Sequence, residues 1–378
     1  MTLFPIVDLY HSSWLHVCPC YGIRGSIRLS MLSRYVMKVV LQSMLGVLLA
    51  LLGLETVLAW LGELDALSAT YHMRDALIQV CLHAPSSIYE LIPVACLIGV
   101  LVGLGVLANN SELTVMRAAG VSPLRIVSYT LWPAILFAAV CLILAQYVIP
   151  HTERIAQVRK AMIQGGADAG MGYWHREGPV FVHVGLVQGQ GKLNFLDFYA
   201  YDAQGRLVQR SYAQDADYQQ DGWHLFNLQQ SDIAIDGQVQ VSSIATRPWV
   251  TPLLPGFLDM ASTDPQFLSL SSLYAYAHFL QQEGLNAAPY QLEFWKKMVQ
   301  PWATLVMVML AASIIFGPLR SVTMGLRLVA GVFIGLGFRY GQDFFGFASL
   351  IYQFSPFWGA AIPALLAGVL GTATLLRL

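Results

Sequence analysis

Charge is what this sequence has least of. Only 11% of its 378 residues are Asp, Glu, Lys or Arg, against about 25% in an ordinary soluble domain, while 56% are hydrophobic. With a mean hydropathy of +0.57, that shortage excludes an ordinary soluble domain and points to a multi-span membrane protein. A formal net charge of -1 gives no electrostatic case for nucleic acid. Cysteine is also scarce. Cys18, Cys20, Cys81, Cys96 and Cys141 are the five, and none falls between His151 and Leu378. The large polar insertion therefore has no disulfide framework, which leaves its compartment open. Catalytic motifs are missing too. A nucleotide-binding P-loop needs Gly-Lys-Ser/Thr, but Gly191-Lys192 is the only Gly-Lys pair and Leu193 follows it. The chain should hydrolyse no nucleotide, and no bound cofactor is expected. There is no HExxH or GxSxG, the nine histidines are scattered, and His175 and His183 read as surface or strand residues. Cys18-Pro-Cys20 is too small a cluster for zinc, which needs four ligands. No metal site is expected.

What is present is a set of long apolar runs around one polar block. Residues 1–30 have neither helical periodicity nor the apolar core of a signal peptide. Met31 reads as the natural start and this segment as an over-long translation, with a disordered arm as the alternative. Residues 31–150 hold three spans: one to about Leu61, one from about Ile88 to Ala108, and one from about Leu124 to Ile149, each long enough to cross about 30 Å of hydrocarbon. Glu55 lies inside the first. Residues 289–378 hold three more, at about Met298–Phe316, Leu328–Leu350 and Phe357–Leu376. Lys296 and Lys297 flank the fourth, where long cationic stems can snorkel.

Residues 151–288 are of another kind. HTERIAQVRKAMIQGG reads as a charged amphipathic helix, and from Tyr173 the pattern turns to strands: PVFVHVGLV, KLNFLDFYAYD, GRLVQRSYAQDADY, GWHLFNLQQSDIAI and GQVQVSSIAT. Turn clusters at this spacing predict a β-sandwich or jelly roll, with Asp221-Gly222 and Asp236-Gly237 as the clearest hairpins. LSLSSLYAYAHFLQQEGL reads as a helix returning to the membrane. The fold class is thus a polytopic α-helical membrane protein of six spans, three and three, with an inserted β jelly roll.

The stretch LIGVLVGLGVLANNSELTVMRAAGVSP organises the rest. An apolar run ends at Asn109-Asn110, and a short helix follows over residues 111–120. Ser111 is placed to cap its N-terminus, Glu112 suits the positive end of its dipole, and Gly120 and Pro123 stop it. Such a helix between two spans either passes motion to a partner at the membrane surface or is merely a structured turn. Orientation follows from the cations. Arg34, Lys38, Arg117, Arg125, Arg320, Arg327 and Arg377 fall on one side and Arg74 alone in the short loops of the other, so the positive-inside rule puts both termini and this helix in the cytoplasm. The polar block is then extracytoplasmic.

Two groups of charges stand out. Arg339 and Asp343 lie four apart inside the fifth span and can pair on one helix face, either as a cavity-facing pair or as a structural pin. Arg154, Arg159 and Lys160 follow the third span on the outer side, where cations call for an anionic partner such as a phosphorylated lipid, or form a solvated helix face.

Three stretches carry a family resemblance: LIPVACLIGVLVGLGVLANNSELTVMRAAG, YQLEFWKKMVQPWATLVMVMLAASIIFGPLRSVTMGLRLVAG and GYWHREGPVFVHV. Over about Met31–Leu378 the chain resembles the LptF/LptG (YjgP/YjgQ) family of lipopolysaccharide export permeases, its FGPLRSVTMG segment being more similar to the LptG side. The resemblance implies an inner-membrane permease subunit of an ABC transporter that takes lipopolysaccharide from the outer leaflet and passes it to a periplasmic bridge. Its implied partners are an LptF-like sister permease, an LptB-like ATPase dimer that uses the ATP and Mg, and an LptC-like periplasmic partner. Residues 111–120 then match the coupling helix, with Glu112 as electrostatic contact, Leu113 and Met116 as apolar knobs and Arg117 beside them. Arg159 and Lys160, with Arg154, match positions that contact lipopolysaccharide phosphates. One departure is that relatives often carry lysines near the outer end of the first span, whereas LAWLGELDALS here holds Glu63 and Asp65. Arg339 is the candidate to have taken over that cationic role. Two other readings stay open: a mechanotransmission permease that moves no lipid, and an ion-coupled carrier using Glu55 or Asp343.

Overall fold

The computed structural model describes residues 31–65, 71–164, 172–189, 191–219, 222–234, 238–251, 254–282, 284–317 and 322–376. Residues 1–30, Asp221, Asp236, Gly237, Arg320 and Arg377, on which some sequence expectations rest, lie outside this set. At the centre is α2 (Met73–Asn109), whose stretch from Ile92 to Leu107 is buried on nearly every side. Helix α1 (Met31–Leu64) lies along it and buries one stripe only, Val36, Val40, Met44 and Leu48, the four-residue spacing that keeps side chains on one helix face. Around α2 pack α4 (Pro123–Ile143), α8 (Ala288–Phe316) and α9 (Met324–Ile351), with α10 (Pro356–Leu376) against α8 and α9. Between α2 and α4 sits the short helix α3 (Glu112–Ala118).

Close approach of α1 to α2 depends on glycine. A Cβ on Gly99 would fall 2.5 Å from the Met44 Cα, and one on Gly103 3.2 Å from that of Val40. Gly331 and Gly335 of α9 are filled in the same way by Leu101 and Val94 of α2, whereas Gly337 faces open space. Apolar burial gives little drive for helix association in lipid, so these contacts matter through packing.

Five helical stretches are long and apolar enough to cross a membrane: α1, α2, Pro123–Ile163, α8 and α10. Helix α9, the expected fifth span, has the length at 28 residues but is diluted by Arg327, Arg339, Asp343 and its glycines. In the third span the helix does not stop at Ile149. A π-helical turn (Leu144–Val148) carries α4 directly into α5 (Ile149–Gln164).

All five β-rich runs fall on strands. β1 (Tyr173–Glu177), β2 (Val180–Gly189), β3 (Lys192–Tyr201), β4 (Leu207–Gln219), β5 (Gly222–Ile233) and β6 (Val239–Trp249) form one antiparallel sheet in consecutive order. This strand order does not confirm the expected jelly roll. A jelly roll interleaves two Greek keys across two sheets, but each strand here pairs with its sequence neighbour through a short connection, leaving no crossover among the described strands. The sheet instead curls on itself. Phe198 and Trp249 meet edge to face at 5.4 Å, and Trp249 Nε1 donates to Glu177 at 3.3 Å, so the first and last strands touch. Val182, Val184, Leu196, Trp223, Leu225 and Leu228 fill the curl. Helix α6 (Pro255–Ala261) packs on the sheet and α7 (Leu270–Gln282) on α6, Phe257 of α6 lying between Tyr173 and Tyr276.

Gly99→Leu is expected to separate α1 from α2, lowering stability by about 1–3 kcal/mol as for other overpacked cores. Thermal unfolding of the purified protein checks this, with Gly337→Leu as the control that should change little.

Candidate functional site

Two regions collect polar side chains, one at each end of the helical bundle. The end away from the sheet centres on α3. Ser111 does not cap it as expected. Its backbone is left-handed, with φ at 62°, and no side-chain cap bond forms. The C-terminal expectation fares better. Gly120, at φ 85°, donates its N–H to Arg117 O at 3.0 Å, and Val121 donates to Met116 O at 3.1 Å, the paired bonds of a Schellman stop.

Leu113 and Met116, expected as outward knobs, are 6% and 7% exposed and belong to the core of the bundle. Their three-residue spacing turns both inward, so they fasten α3 to the membrane helices. The apolar side chain that faces out is Val115, 66% exposed. Arg117 is exposed, and half-buried Glu112 accepts a weak bond from Asn110 Nδ2 at 3.4 Å. Behind α3 lies buried Arg327 of α9, which donates to Gly105 O and Asn109 Oδ1, each at 3.3 Å. Read from sequence only as an orientation marker, Arg327 in fact ties α9 to the end of α2 that leads into α3.

The other end, beside the sheet, holds the candidate cations, and the structure gives each a partner within the chain. Arg154 donates to both oxygens of Asp259 at 2.8 and 2.9 Å, joining α5 to α6. Arg159 donates to nearly buried Asp75 at 2.6 Å, joining α5 to α2. Lys160 donates to both oxygens of Glu63 at 2.9 and 3.2 Å, joining α5 to α1. The anions expected from outside are supplied by the fold. Glu63, singled out as a departure at the end of the first span, is one of them. Tyr71, fully buried, donates to Glu63 at 3.0 Å. Burial, and then that carboxylate, push its phenol well above the usual range, so it stays a donor.

Next to this collar lies a buried network that sequence reading missed. Glu153 is 1% exposed. One of its oxygens accepts from Ser86 Oγ at 2.5 Å and His83 Nδ1 at 2.8 Å, and Gln79 lies 2.9 Å from His83 Nε2. The spacing of Gln79, His83 and Ser86 along one face of α2 was the available signal, but their partner is 67 or more residues away.

The expected Arg339–Asp343 pair is not formed. Arg339 instead donates to Glu90 of α2, because the α9 face carrying it packs on α2, and an interhelical carboxylate is closer than one a turn along. Both charges line a cleft of about 310 Å³ with Glu90, Glu293, Lys296 and Lys297. Lys297 does not snorkel. It is 3% exposed and its Nζ donates to Leu268 O at 2.6 Å, while Lys296 pairs with Glu293 at 2.8 Å. Glu55 has no ion pair among the described residues. No cluster of three or more His, Cys, Asp or Glu suited to a metal occurs among them.

A short helix is thus fastened to one end of the helical bundle, with a sheet at the other. The model of the lipopolysaccharide export system permease LptF/LptG family matches residues 34–377. The chain belongs to this family. It is 34% identical over 344 residues to the lipopolysaccharide export system permease protein LptG of Haemophilus influenzae, covering 89% of this chain and 95% of that protein. It is 32% identical over 339 residues to the LptG protein of Escherichia coli K12, covering 88% and 94%. The family is one of transport permeases, and with its apolar helices the chain is an integral membrane protein.

Arg159→Ala leaves Asp75 nearly buried without its cation, and should cost about 1.5–3 kcal/mol, the range for a hydrogen bond to a charged group. Arg159→Met with Asp75→Leu should recover most of that loss. Unfolding measurements on the three proteins check it; an unchanged single variant would mean that Arg159 is free for outside ligands.

Proposed function

We propose that this chain is the permease subunit of an ATP-driven exporter that takes lipopolysaccharide from the outer leaflet of the inner membrane and passes it to a periplasmic bridge. Family membership over nearly the whole chain carries this reading. Residues 31–150 and 289–378 form the membrane unit of six spans, with α9 as the fifth; residues 151–288 form the periplasmic unit, and both termini are cytoplasmic. A large amphiphile cannot pass a narrow polar pore, so it must enter sideways between helices. The chain binds no nucleotide itself, and ATP and Mg act in a partner ATPase dimer. A sister permease and a periplasmic partner complete the assembly.

Helix α3 is the docking point for the ATPase. Leu113 and Met116 root it in the bundle, so a push on its outer face reaches α2 directly, and through Arg327 reaches α9. Val115, Glu112 and Arg117 form that outer face. For the lipid headgroup, Arg339 is the candidate cation. It is 40% exposed, and a phosphate can exchange with Glu90 for its planar donors. With Arg154, Arg159 and Lys160 held by carboxylates, their contribution to phosphate binding requires those pairs to open.

Val115→Asp should abolish co-purification of the ATPase without lowering thermal stability. Leu113→Ala should lower stability by about 2 kcal/mol or more, as a buried leucine truncation does. Recovery of the complex from native membranes, with mass spectrometry of bound lipid, checks both. A permease recovered without ATPase or lipopolysaccharide would overturn the reading in favour of an ion-coupled carrier.

A further inference from the structure

The face of the sheet turned away from its packed curl is not the plain polar surface that a half-buried sheet usually shows. On β1, β2 and β3 it carries Trp174, His183, Phe181 and Tyr199, brought side by side by the register Trp174↔His183, Arg176↔Phe181 and Phe181↔Tyr199. Trp174 is tilted against His183 and stacked on Tyr199, while Phe181 stands edge-on to Tyr201 at 5.6 Å. Trp174 and His183 are 4.6 Å apart at 34°, and Trp174 and Tyr199 are 6.0 Å apart at 26°. Trp174 is nevertheless 58% exposed, so the outer part of this platform is open. Trp174, Phe181, Tyr199 and Tyr201 edge a cleft of about 1120 Å³, walled by the β1–β2 turn at Gly178-Pro179 on one side and the turn at Asp202–Gly205 on the other.

Charge in the cleft is graded. Asp202 is committed to its own turn, accepting from the N–H groups of Gln204 and Arg206 at 2.9 and 2.8 Å, and pairing with the Arg206 guanidinium. Arg210 stands over Tyr199 and pairs with Asp197. Arg176 lies 5.2 Å over Phe181 and donates only to Gly178 O, with no carboxylate partner among the described residues. Among the described residues the cleft therefore offers aromatic faces beside a guanidinium, that of Arg176, that has no carboxylate partner and keeps donors to spare.

That combination has a definite chemistry. The face of an aromatic ring is electronegative and attracts the polarised C–H groups on the flat side of a sugar ring, while a guanidinium with free donors takes a phosphate or carboxylate through two parallel bonds. We propose that this cleft binds an acidic saccharide, with a sugar ring stacked on Trp174 and its phosphate or carboxylate on Arg176. The proposal deepens the permease reading and rests on it, since a lipopolysaccharide is the source of such a saccharide. The position fits. The cleft lies at the end of β2 opposite Gly185–Val187, which meet α5 and α6, so it is removed by about 17 Å, five residues of strand, from the side of the sheet that packs on those two helices, beyond which lie the membrane helices that would hold acyl chains. The site serves the sugar part while the lipid part lies elsewhere.

The test uses the full chain in lipid nanodiscs and a lipid-free phosphorylated core oligosaccharide, with its dephosphorylated form as the second probe, read by calorimetry. Wild type should bind the phosphorylated form, Trp174→Ala and Arg176→Ala at least ten-fold more weakly, and Trp174→Phe almost as well. Dephosphorylation should weaken binding to wild type but make little further difference in Arg176→Ala. Both side chains are exposed, so thermal unfolding should be unchanged in each variant. No binding by wild type, or equal binding by Trp174→Ala, overturns the proposal. So does a photo-crosslinker at position 174 that captures a protein and no glycolipid, which would make this face a protein interface. Export of lipopolysaccharide by wild type separates the two readings: its absence counts against the permease assignment, whereas normal export with no oligosaccharide binding counts against the cleft alone.

Discussion

A charge at the edge of an apolar layer must find a counter-charge, and in this protein the chain itself supplies it. Transfer of an unpaired ion out of water costs several kcal/mol even after relaxation. At the sheet end of the bundle, Lys160 meets Glu63, Arg159 meets Asp75, Arg154 meets Asp259 and Arg339 meets Glu90. These pairs are not decoration on a finished fold. Three of them radiate from α5, the helix that continues the third span through a π-helical turn, and they fix it to α1, α2 and α6 in turn. One helix gripped on three sides thereby holds the sheet to the bundle, beside the packing of α7 on α8.

The same constraint explains what could and could not be read from the residues. Five of the expected spans, most of the strands and the stop of α3 were legible because each is local: apolar length, alternation over a few residues, and a glycine at a left-handed position. The collar was half legible. Arg154, Arg159 and Lys160 announced a need for anions, and the acidic end of the first span was visible as an anomaly, but the two lie about a hundred residues apart. Nothing local links Lys160 to Glu63. Arg339 misled for the complementary reason, since Asp343 is its neighbour along the helix while Glu90 is its neighbour across the interface. Leu113 and Met116 show a third failure. Their spacing defines one face of a helix, but whether that face looks to the bundle or to a partner depends on how α3 is hung between α2 and α4.

The strand pattern placed five of the six described strands but not their arrangement. Alternation tells which residues share a face, and a curled meander and a jelly roll use the same alternation. The difference lies in long-range closure, here by Trp249 against Phe198 and Glu177. With six strands in one curl, the inner face is packed by its own residues and the outer face is left free to carry aromatic rings.

Charge reversal across Glu63 and Lys160 tests the central claim most directly. Glu63→Lys and Lys160→Glu each place like charges in contact where α1 meets α5, while the double variant restores opposite charges in the same place. The account predicts that each single variant unfolds at a lower temperature than wild type and that the double variant returns most of the loss. Singles as stable as wild type, or losses that simply add in the double, would contradict it and would leave Lys160 free to serve an anion from outside the chain.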